Sequence, residues 1–226
     1  MPTFIEKSVN EVRYWEMLIG EVQPDTPIAI ALHYMSGDAR SMEALFNGYE
    51  KPLRVITMQG SYVYKDNEVE GFSWFPDHTA FYDRSEAEQA QDIRTASEPI
   101  VEVIRHLKTT YPGAKIAIMG MSQGGDLALS IATHHPELLD LVLPMAGRIS
   151  APMRPSEVSK GRLPHILMMN GVDDPIVTIA GAREAVKWLQ AAGFAAELKE
   201  YAGIEHRIAK AMVQDIQDRL SELNGA

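Results

Sequence analysis

Apolar positions follow two rhythms along this chain. Short unbroken runs, "PIAIALH" (27–33), "LRVITM" (53–58), "KIAIM" (115–119), "LLDLVLPMAG" (138–147) and "HILMMNG" (165–171), read as strands buried on both faces, with "AAELKEYAG" (195–203) as a further strand. Other stretches carry helical spacing. In "DRSEAEQAQDIRTASEPIVEVIRHLKTTYP" (83–112), Ala90, Ile93, Ile100, Ile104 and Leu107 fall on one helix face. Pro99 lacks an N–H, so a kink or division is expected there, with Ser97 capping the second part. Helices are also predicted at 39–49, from Ser122 to about His134, at 178–193 and at 206–223. A loose alternation at 3–9 and 12–19 predicts a strand pair at the start.

Residues 60–82 break both rhythms. This segment holds Tyr62, Tyr64, Phe72, Trp74, Phe75, Phe81 and Tyr82, with no clear period. It reads as a long connection, of the length that usually serves function, whose rings both pin the loop and face a pocket.

Strands alternating with helices predict a mostly parallel sheet with helices on both faces, within a single domain over 1–226. In such sheets the reactive groups gather in the crevice beyond the carboxyl ends of the strands. The positions to inspect are therefore His33 to Gly37, Gly60 onward, Ser122, Ala146 to Arg148, Asp173 and Asp174, and Gly203 to His206.

Composition narrows the choice of chemistry. The formal charge is −10 with no basic cluster, which disfavours nucleic acid as a partner. There are no cysteines, so disulfides, thiolate metal sites and cysteine catalysis are excluded. No metal-ligand spacing is present, and neither metal nor organic cofactor is expected. The first residues lack a basic region followed by an apolar one, and no apolar run approaches a membrane span. A cytoplasmic protein without stable membrane insertion, a monomer or homodimer, is the expectation.

Ser122 directly follows the strand "KIAIM" and its two next residues, and it opens a helix. Gly120 and Gly124 flank it in the pattern Gly-x-Ser-x-Gly. A strand-to-helix turn this sharp strains the backbone of its central residue, and the neighbours must lack side chains for strand and helix to approach. The hydroxyl then stands at a helix N-terminus, where the N–H of Gln123 can receive a developing oxyanion.

A serine nucleophile needs a base, and the base an orienting carboxylate, in the order serine, acid, histidine on such a fold. Of the histidines after Ser122, His134 and His135 end the helix that Ser122 opens, and His165 begins a strand at the wrong end of the sheet. His206 alone follows a strand at its carboxyl end. The acid must come from the loop after "HILMMNG", where Asp173 and Asp174 are equally placed.

The blocks "GMSQGGDLAL" (120–129), "PMAGRI" (144–149), "NGVDDPIV" (170–177) and "YAGIEHRI" (201–208) resemble the signatures of the carboxylesterase/phospholipase family of α/β-hydrolases, which includes acyl-protein thioesterases. "LRVITMQG" and "GFSWF" (71–75) are similar to that family's strand and its Trp-aromatic block. The resemblance implies an α/β-hydrolase fold without a large cap domain, with Ser122 as nucleophile, Asp174 as acid and His206 as base. Asp174 is favoured because Pro175, Ile176 and Val177 follow it as in the family pattern. The loop "LHYMSGD" departs from that pattern, with Tyr34 in place of a glycine; the resemblance assigns the second oxyanion N–H to Met35. Asn170 stands where the family commonly has histidine.

Together these features predict a serine carboxylesterase acting on a small-molecule ester. The apolar residues Met35, Trp74, Phe75, Ile176 and Val177, with the Tyr34 phenol beside them, suggest a pocket for short- to medium-chain or aryl esters. A thioesterase or lysophospholipase of the same family shares every residue named. A ligand receptor on a hydrolase scaffold is the contrasting reading, although a receptor has little need of three triad members.

Overall fold

The computed structural model describes residues 4–66, 68–76, 83–159, 161–224. An eight-stranded sheet runs β1 (Ile5–Val9), β2 (Val12–Ile19), β4 (Leu53–Met58), β3 (Ile28–Leu32), β7 (Ile116–Met121), β8 (Leu141–Met145), β9 (His165–Gly171), β10 (Ala195–Tyr201) in spatial order. Only β2 opposes the others; every pairing from β4 through β3 to β10 is parallel. A separate antiparallel hairpin pairs β5 (Tyr62–Asp66) with β6 (Val69–Ser73).

The central strands are apolar without interruption because both of their faces are covered. Ile28, Ile30 and Leu32 of β3 pack with α1 (Glu86–Thr110), α2 (Gln123–His134) and α3 (Ile179–Ala191) on one side. The alternate residues Ala29 and Ala31 face the other side, among Met212, Ile216 and Leu220 of α4 (Lys210–Leu223). This period-two division places small residues under α4 and larger aliphatic ones under α1 and α2.

Five expectations are corrected. Residues 39–49 hold only one 3-10 turn, Glu43–Phe46. Asp38 explains the loss: its carboxylate accepts the Arg40 N–H at 2.9 Å and the Ser41 hydroxyl at 2.9 Å, a local alternative to helical bonding. Pro99 does not divide α1, a helix of 25 residues that runs through it unbroken. The carbonyl freed four residues earlier belongs to Thr95, an exposed position. Ser97 is no cap but bonds back to the Ile93 carbonyl at 2.8 Å, and the N-terminus is closed instead by a Ser85–Glu88 capping box. The segment after Gly60 contains the β5–β6 hairpin rather than unstructured chain, while the rings of Phe81 and Tyr82 lie outside the described residues. The last helix starts at Lys210, leaving His206 on a turn.

Candidate active site

Ser122 occupies the turn between β7 and α2 with φ 55° and ψ −115°, a conformation strongly disfavoured for a residue bearing a side chain. The turn is held on both sides. The Ser122 N–H donates to the Met145 carbonyl at 3.0 Å, and the Ser122 carbonyl accepts the Asp126 N–H at 2.9 Å. A Cβ on Gly120 would overlap the Gly124 backbone, and one on Gly124 would overlap the Leu32 carbonyl. The two flanking glycines therefore let β7, α2 and the end of β3 meet at backbone contact.

Beyond the carboxyl ends of the strands, three side chains form a chain of hydrogen bonds. Ser122 Oγ lies 3.0 Å from His206 Nε2, and His206 Nδ1 lies 2.8 Å from Asp174 Oδ2. A carboxylate only accepts, so the Nδ1 proton faces Asp174 and the Nε2 lone pair faces the serine hydroxyl. The other oxygen, Oδ1, accepts the N–H groups of Ile176 and Val177, both at 2.8 Å. Asp174 is 5% exposed, whereas Asp173 is turned to solvent. That contrast separates two carboxylates that the local sequence leaves equivalent.

The loops bearing Asp174 and His206 are stitched together. Val172 N–H donates to Tyr201 O at 2.9 Å, and Asp173 N–H donates to Ile204 O at 3.1 Å. Asn170 braces the Asp174 loop from inside, donating from Nδ2 to the carbonyls of Gly171 (3.0 Å) and Val177 (2.8 Å). His134 bonds within its own helix, to Ser130 O, and His165 pairs with Glu197 at the start of β9. Neither reaches this crevice, nor does His135 at the end of α2.

The loop after β3 forms the opposite wall. Its N–H groups at Ser36 and Gly37 are taken by the carbonyls of Phe72 and Tyr34, both at 2.9 Å; no hydrogen bond engages the Met35 N–H among the described residues. Gln123 is the first residue of α2, and its N–H has no carbonyl one turn earlier in the helix to bond. Its side chain instead ties the walls together, Oε1 accepting the Trp74 N–H at 3.1 Å and Nε2 donating to Ser73 Oγ at 3.2 Å.

The cleft over Ser122 has a volume of about 660 Å³. Its apolar lining includes Tyr34, Met35, Met121, Pro175, Ile176 and Ile208, and its polar groups are those of Ser41, Ser122, Arg148, His206 and Arg207. Tyr34 and Ile176, expected at a pocket, line this cleft. Trp74, Phe75 and Val177 do not. Phe75 is 0% exposed in the core beneath α1, and Val177 is buried on the α4 side. Trp74 lies flat against His33, with ring centroids 4.8 Å apart, and its Nε1–H donates to the His33 carbonyl at 2.8 Å. A buried indole must place its N–H, and the loop after β3 supplies the acceptor.

The sequence marks Arg148 only as a position at a strand end, and gives Asp126 no role. Asp126, one turn into α2, is buried and accepts the Arg148 backbone N–H at 2.6 Å and its guanidinium at 2.7 Å. Burial pushes the Asp126 carboxyl up, against the pull of Arg148. The pair is legible only in space, since β8 separates the two residues.

A strained serine between strand and helix, at the crevice of a mostly parallel sheet flanked by helices, defines the α/β-hydrolase fold. The phospholipase/carboxylesterase profile matches residues 17–224, and the chain belongs to that family. It is similar to a protein of Oryza sativa subsp. japonica named "Probable carboxylesterase", with 27% identity over 145 residues, 61% of this chain and 53% of that one. It is also similar to "Probable carboxylesterase SOBER1-like" of Arabidopsis thaliana, with 28% identity over 109 residues, 47% of this chain and 42% of that one. The chain therefore spans about half the length of the curated relatives it matches. The crystal structure of esterase PE8 superimposes with a TM-score of 0.73 at 23% identity, covering 91% of this chain and 99% of that one, a likeness of fold. Among the described residues, no helix is long and apolar enough to cross a membrane.

Proposed function

We propose that this chain is a serine hydrolase of carboxylic esters, acting through an acyl-enzyme. The observation that carries the reading is the continuous path Ser122 Oγ, His206 Nε2, His206 Nδ1, Asp174 Oδ2, with contacts of 3.0 Å and 2.8 Å. Ser122 Oγ attacks the ester carbonyl carbon as its proton passes to His206 Nε2. Asp174 keeps the imidazole in the required tautomer and favours the imidazolium that forms. The N–H groups of Gln123 and Met35 receive the oxyanion. The tetrahedral species collapses, the carbon–oxygen bond to the leaving group breaks, and His206 protonates the departing alkoxide. Water then attacks the acyl-serine with His206 again as base, releasing the carboxylic acid and restoring Ser122.

The open cleft and its apolar lining suit short- to medium-chain or aryl esters. The names of the rice and Arabidopsis relatives agree with carboxylesterase activity. We take the catalytic unit to be one domain, working as a monomer or homodimer in the cytoplasm. The test is a p-nitrophenyl ester series run beside a thioester and a triglyceride, with fluorophosphonate labelling of wild type and Ser122→Ala. Hydrolysis and labelling are expected in wild type and absent from a folded Ser122→Ala. Near-normal turnover by that variant sinks the assignment.

A further inference from the structure

The cleft over Ser122 is lined by two guanidinium groups, those of Arg148 and Arg207, and by no carboxylate among the described residues. That local sign runs against a chain whose formal charge is −10. The two cations differ in their surroundings. Arg148 is held and neutralised from below by Asp126, with its side chain 31% exposed. Among the described residues Arg207 has no such partner. Nine of the chain's twelve arginines form ion pairs among the described residues. Arg94 donates to Pro152 O and Gln91, which leaves Arg105 on a distant groove of α1 and Arg207 in the cleft.

The position of Arg207 is set by its neighbours. It directly follows His206, its backbone N–H turns back onto Glu205 O at 2.8 Å, and His206, Arg207 and Ile208 all line the cleft. A guanidinium is weakly hydrated and offers a planar fork that matches a carboxylate or a phosphate. Among the described residues the lining holds no carboxylate, so an anion entering this cleft meets the Arg207 guanidinium with no ion-pair partner competing for it, and Arg148 already held by Asp126.

We infer that the cleft selects esters bearing a second, anionic group, a carboxylate or a phosphate, and that Arg207 anchors that group while the ester reaches Ser122. This inference rests on the ester-hydrolase reading for its chemistry, but the anchoring itself is a binding property. A neutral ester of the same shape fills the same cleft without the ion pair, so the anion adds selectivity and salt dependence rather than a new reaction.

The test compares 4-acetoxybenzoate, its neutral methyl ester and 4-acetoxyphenyl phosphate as substrates of the full chain. Wild type should prefer an anionic ester over the methyl ester in kcat/KM by about tenfold at low salt, with the preference shrinking at high salt. The carboxylate and phosphate arms identify which anion is taken. Arg207→Gln should lower the anionic-to-neutral ratio by about tenfold, mainly through KM, and Arg207→Lys should restore much of it. Arg105→Gln removes the same charge outside the cleft and should keep the wild-type ratio. No preference in wild type, or an unaltered ratio in Arg207→Gln, overturns the inference. Binding of the products 4-hydroxybenzoate and methyl 4-hydroxybenzoate, measured by calorimetry, separates the two claims. If no ester is hydrolysed yet Arg207→Gln weakens only the anion, the hydrolase reading fails and the anchor stands.

Discussion

The imidazole Nε2 of His33 accepts the Gly60 N–H at 2.9 Å, while Nδ1 faces the Tyr34 carbonyl at 2.7 Å. An N–H on one side and a carbonyl on the other admit a single neutral tautomer, protonated on Nδ1. The ring is fully buried, and burial pushes its pKa down. It thereby fixes the start of the loop that carries Met35.

A pH dependence of stability follows. Since the folded-state pKa of His33 lies below its ordinary value of 6.5, the unfolded chain takes up this proton first. His33 therefore contributes stability above pH 6.5 that is lost as pH falls from there through the folded-state pKa. In urea titrations, the wild type should lose stability across this window more steeply than His33→Gln. That variant should also be less stable at pH 7.5 by about 1–3 kcal/mol, from the disturbed buried hydrogen bonds. Parallel pH profiles for the two proteins would refute the assignment.

The two adjacent aspartates should behave very differently. Asp174 accepts three hydrogen bonds, one of them from His206, while Asp173 is exposed. Asp174→Asn is expected to lower kcat by about 10³- to 10⁴-fold, because an amide can present N–H to Nδ1 and impose the wrong tautomer. Asp173→Asn should stay within about twofold. Steady-state kinetics on one p-nitrophenyl ester decide it, and the reverse pattern would exchange the two residues.

The β5–β6 hairpin is a brace for the loop after β3. Gly37 and Phe72 form a bridge, and a Cβ on Gly71 would overlap the Ser36 carbonyl. Gly71→Ala should push that loop away and displace the Met35 N–H. Loss of an oxyanion donor costs about 10²–10³ in kcat, and a displaced one should cost at least about tenfold, with KM less affected. Unchanged kcat in a folded Gly71→Ala would remove the hairpin from the catalytic account.

Asp126 should matter to stability before chemistry. Asp126→Asn leaves Arg148 with a neutral partner in place of a buried carboxylate. Breaking a buried pair costs about 3–5 kcal/mol, and the 31% exposure of Arg148 moves the expectation below that range, to roughly 2 kcal/mol. Thermal or urea unfolding measures it. A gain in stability would mean that desolvation of the carboxylate outweighs its bonds.

Strand order along the chain, the elbow at Ser122 and the position of His206 after β10 were all readable as pattern, since continuous apolar runs and turn chemistry are local signals. What was not readable depends on which way a side chain turns. Trp74 and Phe75 look like pocket residues in sequence because they are aromatic and fall in a long connection rich in aromatic residues. In space β6 ends at Ser73, and the next two rings enter the interior, where the indole N–H finds the His33 carbonyl. Val177 fails similarly, its N–H serving Asp174 and its side chain the core. The predicted helix at 39–49 lost to the Asp38–Ser41 turn, a competition that helix periodicity does not register. Arg207 lies in the block that carries His206 but has no role in its pattern, and its place in the cleft is what distinguishes it from Arg105.

His206 stands 84 residues from Ser122 and 32 from Asp174, and it is carried by a turn that exists only once β10 has paired along β9. Contacts this distant in sequence close late, because the loops between them lose their entropy before the contact returns anything. The serine turn, by contrast, needs only β7, α2 and the ends of β3 and β8. During refolding, then, the strained serine should be formed before it is reactive, and the appearance of fluorophosphonate labelling should time the docking of the edge strand rather than the collapse of the core.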